Sequence, residues 1–346
     1  MQATTSLDVK RYGARLVWTL LGLAFTGLVF AAALGTGQDA VTILSIFSTR
    51  FLGIFIEAAP FLLLGTLASG VIEAFVTQAD VVRWLPRNPV LATLGGTFMG
   101  FAFPVCECGV VPVARRLFTK GLPMSVGVAF LMAAPVMNPV VLVSTYIAFG
   151  TISPAIFVGR FVLTALIATA IGLVFALAAR PQDVLRPQNF APVMGGSAEA
   201  ASTPAPRRAL LPGLIFALKT AGDEFFEMGR YLIIGSLLAA AMQTLVSQEV
   251  LLALGRGPVV SVLVMQMLAF LLSVCSTVDA FLALAFVGTF TTGSLISFLT
   301  FGPMVDIKST LMFAGVFNRR TVAYLVVLPF LMALFAGIWM NLNLSF

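Results

Sequence analysis

Phe101-Ala-Phe-Pro104-Val-Cys106-Glu107-Cys108-Gly109-Val-Val-Pro112-Val-Ala-Arg115-Arg116-Leu-Phe-Thr-Lys120 ends an apolar run that begins near residue 90. How this stretch meets a membrane decides the fold. If 90–118 crossed as one helix, it would carry Arg115, Arg116 and Lys120 to the outer side. Basic residues collect on the inner side. Pro104 removes a backbone donor at the middle of the run, and Gly109 follows. Irregular backbone at membrane depth is tolerated where protein or a cavity covers it. We therefore read 90–118 as a broken, re-entrant segment; a kinked full span is the competing reading.

The composition requires a membrane. The 346 residues are 60% hydrophobic and 10% charged, with a mean hydropathy of +1.05. Soluble domains are about 25% charged. A spanning helix needs about 20 apolar residues. The predicted segments are 16–36, 51–76, 90–118, 121–149, 155–179, 223–247, 258–287, 290–315 and 320–341. The first reads as a retained span, since no small-residue cleavage site follows its long apolar stretch. Residues 180–208 are rich in Pro, Ala, Gly and Ser, and read as a flexible linker. Lys10, Arg11 and Arg15 place the N-terminus inside. Arg83 and Arg87 do the same for the loop 77–89, Arg180, Arg186, Arg207 and Arg208 for the linker, and Arg319 and Arg320 for the last loop. The expected organisation is an N-terminal segment with the first span over 1–48, a membrane unit over 49–179, a cytoplasmic linker over 180–210 and a second unit over 211–346. The expected location is the inner membrane.

Several functions are excluded. The chain has no histidine, which removes His-based metal sites, haem ligation and Ser-His or Cys-His catalysis. Three cysteines are too few for a disulfide framework. The net charge of +6 and pI near 9.7 report orientation in the bilayer rather than a nucleic-acid partner. No G-x-x-x-x-G-K-[ST] loop supports an ATPase. We expect no enzyme, no catalytic residue and no cofactor.

The halves resemble each other. Glu57-Ala-Ala-Pro-Phe-Leu-Leu-Leu-Gly65 aligns with Glu227-Met-Gly-Arg-Tyr-Leu-Ile-Ile-Gly235, Pro104-Val-Cys106 with Ser273-Val-Cys275, and Phe130 to Asn138 with Phe298 to Asp306. The offset stays between 168 and 170 residues. This predicts an all-α, polytopic protein of two pseudo-symmetric repeats. With 90–118 re-entrant the repeats are inverted; with full spans they are parallel. Either way a site falls between them near the midplane, marked by broken helices.

The chemistry gathers at those marks. Cys106, Cys108 and Cys275, all the cysteines present, lie in the matched motif. Thiolates select soft metals and metalloids, although a buried cysteine also serves as a small hydrophobe. Glu57, Glu107, Glu227, Arg230, Asp279 and Asp306 fall in apolar stretches, where ionisable groups face the protein interior and mark ion or proton pathways. Glu227 and Arg230 share a helix face and can pair. Glu57 and Glu227 are the proton-coupling candidates; Glu57, with no local basic partner, is the better candidate for a proton carrier or an inter-helix hydrogen bond. Asp279 follows Cys275 by one helical turn. Asn138 and Asp306 each follow a proline, and either hold open helix ends or line the pathway; Lys308 is placed to neutralise Asp306. Gly65, Gly95, Gly96, Gly100, Gly235 and Gly302 are expected to let helices pack closely.

The run Pro104-Val-Cys-Glu-Cys-Gly-Val-Val-Pro-Val-Ala-Arg-Arg-Leu117, then Lys120-Gly121, Phe130-Leu-Met-Ala-Ala-Pro135 and Asn138-Pro139, resembles the permease family that includes the ArsP-type organoarsenical efflux permeases. Cys275-Ser-Thr-Val-Asp-Ala-Phe281 and Phe298-Leu-Thr-Phe-Gly-Pro303 continue the likeness, which covers about 50 to 340. The resemblance implies export of a trivalent organoarsenical. Cys106, Cys108 and Cys275 would be the metalloid ligands. Cys106, Cys108, Cys275, Glu107, Asn138, Asp279 and Asp306 would form the substrate site. The expected partners are the lipid bilayer and a small thiophilic solute, with a homo-oligomer or a partner membrane subunit also compatible. Another soft metal or a sulfur compound as cargo stays open, as does a membrane thiol oxidoreductase, although no C-x-x-C pair is present.

Overall fold

In hydrocarbon no water satisfies backbone N–H and C=O groups, so apolar segments close their hydrogen bonds within helices. The computed structural model describes residues 40–84, 86, 88–103, 106–178, 210–245 and 257–343. Its regular elements are all helices. The expected first span with its basic flank, Arg87, Pro104 and the linker 180–208 lie outside the described residues.

In chain order the helices are α1 (Ala40–Phe75), α2 (Gln78–Trp84), α3 (Pro89–Phe98), α4 (Glu107–Thr119), α5 (Met124–Ala133), α6 (Pro139–Phe149) and α7 (Pro154–Ala178). After the linker come α8 (Leu210–Leu245), α9 (Val260–Leu272), α10 (Asp279–Leu284), α11 (Thr292–Met304), α12 (Ile307–Val316) and α13 (Arg319–Asn343). Among the described residues, 5 stretches are long and apolar enough to cross a membrane: Val41–Phe75, Pro154–Leu177, Leu210–Leu245, Thr292–Val316 and Arg319–Asn343.

Two expected spans start too late. The segments predicted at 51–76 and 223–247 are 36-residue helices beginning at Ala40 and Leu210. Charged residues within these helices find partners across the pair. Arg50 donates to the Gln243 carbonyl, and Glu224 accepts the Ser69 hydroxyl.

Three apolar segments besides 90–118 are broken. The run 121–149 stops after Ala133 and restarts at Pro139, where the Asn138 Oδ1 accepts the Val140 N–H at 2.9 Å. An N-cap asparagine followed by proline at the first helical position is a start signal. The run 258–287 breaks at Ser273, whose left-handed backbone (φ 48°) ends α9. The run 290–315 breaks at Asp306, whose carboxylate accepts the Ser309 N–H at 2.6 Å while the Ser309 hydroxyl accepts the Asp306 N–H at 2.8 Å. Asn138 and Asp306 thus hold open helix ends. The segment 90–118 is broken as expected, between Phe101 and Glu107.

α1 and α8 pack against each other antiparallel. Arg50 meets Gln243 at one end, while Ser69 meets Glu224 and Gly70 faces Ala217 at the other. Glycine permits the closest approaches. A Cβ at Gly65 would stand 2.4 Å from the Gly109 Cα, and one at Gly235 would stand 2.9 Å from the Lys308 Cα. Gly96 and Gly100 act in the same way toward Val126 and Ala134, whereas Gly95 faces open space. The α5 helix is buried along its whole length. Ile56, Leu166, Phe226 and Phe335 on the outer helices are exposed, as suits faces turned to lipid.

Candidate functional site

The break before α4 aims the first cysteine motif inward. Cys106 is the N-cap of α4 in extended backbone, and Glu107 and Cys108 form the first turn. Cys275 sits in the loop between α9 and α10 that Ser273 opens. All three thiols are free and buried. They are neighbours: Cys106 lies within interaction range of both Cys108 and Cys275. Thr277 donates its hydroxyl to the Cys275 Sγ at 3.4 Å. Among the described residues no group of three or more Cys, Asp or Glu side chains is arranged to hold a metal ion. The thiols therefore form a contact group rather than a closed ligand cage.

Two buried bases, Lys308 and Arg160, pair with acids beside the thiols. The Lys308 Nζ lies 3.5 Å from the Glu107 Oε1 and 3.5 Å from the Asp306 Oδ2. The other Glu107 oxygen is buried without a hydrogen-bond partner. Asp279 does not present its carboxylate beside Cys275 as a free group. It takes a two-pronged contact from Arg160, at 2.7 Å from Nη2 and 3.0 Å from Nη1. Arg160 also donates to the Thr145 hydroxyl at 2.8 Å and to the Ser276 carbonyl at 3.3 Å. Glu57, half-buried on α1, lies within electrostatic reach of Lys308 and Asp279.

The structure thus brings together Cys106, Glu107, Cys108, Cys275 and Asp306, with Asp279 and Glu57 beside them. Asn138 is buried and serves its own helix end. Glu227 lies elsewhere. Its carboxylate meets Arg115 at 2.8 Å rather than the expected Arg230, and Arg230 stacks over the Tyr231 ring. Glu227 belongs to a second charged group, in which Arg116 lies 3.6 Å from Glu73 and 3.8 Å from Glu224, and Lys120 lies 3.2 Å from Glu73. Sequence reasoning missed Arg160, Glu73 and Glu224. Arg160 is the single ionisable residue of α7, a signal the intramembrane-charge rule reads.

Helices that cross a membrane and helices that break around a buried polar centre define a multi-pass membrane protein of the permease class. The chain belongs to the ArsP_1 family, described as "predicted permease", whose profile matches residues 43–342. It is similar to "UPF0718 protein YcgR" of Bacillus subtilis, at 45% identity over 276 residues, 80% of this chain and 90% of that protein. It is also similar to the "Putative two-component membrane permease complex subunit" of Streptococcus mutans, at 37% identity over 279 residues, 80% of this chain and 88% of that protein. No solved structure matches it.

Proposed function

We propose that the protein is a secondary transporter of the inner membrane that exports a small thiophilic solute, such as a trivalent organoarsenical, through the thiol centre. The observation that carries this reading is the placement of every cysteine in the chain in one buried group between two broken helices. A structural role would not require all of them there. Soft sulfur ligands favour soft metalloids. A methylated arsenic(III) bearing two hydroxyls exchanges each As–O bond for an As–S bond, and the thiol proton leaves with the hydroxyl as water. Cys106 and Cys108 are the natural pair, with Cys275 as relay. The open contact group suits exchange and release better than a closed cage.

The two units 49–179 and 211–346 are inverted repeats in this reading, with 90–118 re-entrant. Support comes from the antiparallel packing of α1 and α8, both of 36 residues. Among the described residues each is followed by a broken cysteine segment, a capped helix pair and a closing helix of 25 residues. Helices as short as α3 and α4, of 10 and 13 residues, do not reach across alone.

Everted vesicles carrying the protein are expected to accumulate methylarsenite, with inorganic arsenite as control. Cys106→Ser and Cys108→Ser should each abolish uptake at normal expression. Wild-type uptake in the double mutant would sink the ligand role. Glu57→Gln should flatten the pH dependence of uptake if Glu57 carries the coupling proton, whereas Glu227→Gln should not, since Glu227 is committed to Arg115. The name of the Streptococcus relative favours one further element, a partner membrane subunit, which should co-purify from mild detergent.

A further inference from the structure

Each cysteine segment carries an acid, and each acid is met by a buried base from the other half of the chain. Glu107, between Cys106 and Cys108, faces Lys308 of α12 at 3.5 Å. Asp279, the first residue of α10 after the Cys275 loop, faces Arg160 of α7 at 2.7 Å. The two bases are 1% and 0% exposed. Arg160 grips the loop at two points, the Ser276 carbonyl and the Asp279 carboxylate. It is itself braced by Thr145 of α6. Lys308 is braced by the cap residue Asp306 and by the close passage of Gly235 over its backbone. A planar guanidinium meeting a carboxylate through two bonds fixes orientation as well as distance.

We propose that Lys308 and Arg160 are the positioning residues of the thiol site. Acting crosswise, each holds the cysteine segment of the opposite half, and together they set Cys275 against Cys106. Neither base touches the cargo. The use of this arrangement in transport rests on the thiol reading above, but the arrangement itself is measurable without any cargo.

The test is oxidative cross-linking of the full-length protein in membrane vesicles. In a Cys108→Ser background only Cys106 and Cys275 remain. Brief treatment with copper phenanthroline, followed by counting free thiols with a maleimide mass tag, should show both consumed as one disulfide. Adding Arg160→Lys, which keeps the charge and loses the fork, should slow the disulfide by about tenfold, as expected for reacting groups moved out of register. Lys308→Met should do the same. Arg160→Lys should leave oxidation of the local Cys106–Cys108 pair unchanged in a Cys275→Ser background, which a general loosening of the fold would not. No disulfide in the Cys108→Ser protein overturns the geometry. An unslowed disulfide in Arg160→Lys overturns the positioning role, and decides it alone if Lys308→Met does not fold. A slowed disulfide in a protein whose methylarsenite uptake ignores the cysteines keeps the positioning role and removes the proposed cargo.

Discussion

Arg160 sets the terms at the scale of single residues. Removing one partner of a buried ion pair leaves a stranded charge, while replacing both with apolar groups is close to neutral. Arg160→Met should therefore destabilise the protein by about 3–5 kcal/mol, and adding Asp279→Leu should recover most of the loss. Thermal unfolding in detergent reads both. Equal losses in the single and double variants would show that the pair is not coupled. The sequence placed Asp279 beside Cys275 and left it for the cargo. Its partner lies 119 residues away, and no local pattern links two positions so far apart. The cysteines were legible because they are rare, and the intramembrane acids because charge is rare there. The pairing of the acids was not.

At the scale of elements, the breaks matter more than the helices. The apolar runs were easy to read, and four of them turned out to be interrupted. Composition alone cannot separate one long helix from two short ones joined by a capped corner. The local chemistry does: Asn138-Pro139 is a cap and a first-turn proline, and Asp306 pairs with Ser309 in a capping box. Asn138→Ala and Asp306→Ala should each cost about 1 kcal/mol through the lost cap. Asp306→Ala should cost more than Asn138→Ala, since it also takes a counter-charge from Lys308. Unfolding temperatures of the two variants give the comparison. The contact of α1 with α4 offers a sharper test. Gly65→Ala should lower the unfolding temperature, because the new methyl would meet the Gly109 backbone at 2.4 Å. Gly53→Ala meets nothing within 4 Å and should be neutral or slightly stabilising.

At the scale of the whole molecule, the second charged group ties three helices together. Arg115, Arg116 and Lys120 of the α4 end all find acids, on α1 (Glu73) and on α8 (Glu224, Glu227). Charges matched in this way report orientation less directly than free loop charges, and labelling an introduced cysteine near residue 118 from each side, in a Cys-free background, assigns the side on which α4 ends. Arg115→Glu should weaken the tie between α4 and α8, and the exchange Arg115→Glu with Glu227→Arg should restore it. The restored fraction of the unfolding temperature measures the pair. The 36-residue length of α1 and α8 has a consequence of another kind. At 1.5 Å per residue each is about 54 Å long, against a hydrocarbon thickness of about 30 Å. Tilting within the usual range of up to about 40° does not absorb that difference, so the pair projects beyond the acyl chains. The protein is thus matched to a lipid thickness by its projecting ends as much as by its apolar belt, and reconstitution in lipids of short, medium and long chains should change its heat resistance only gradually.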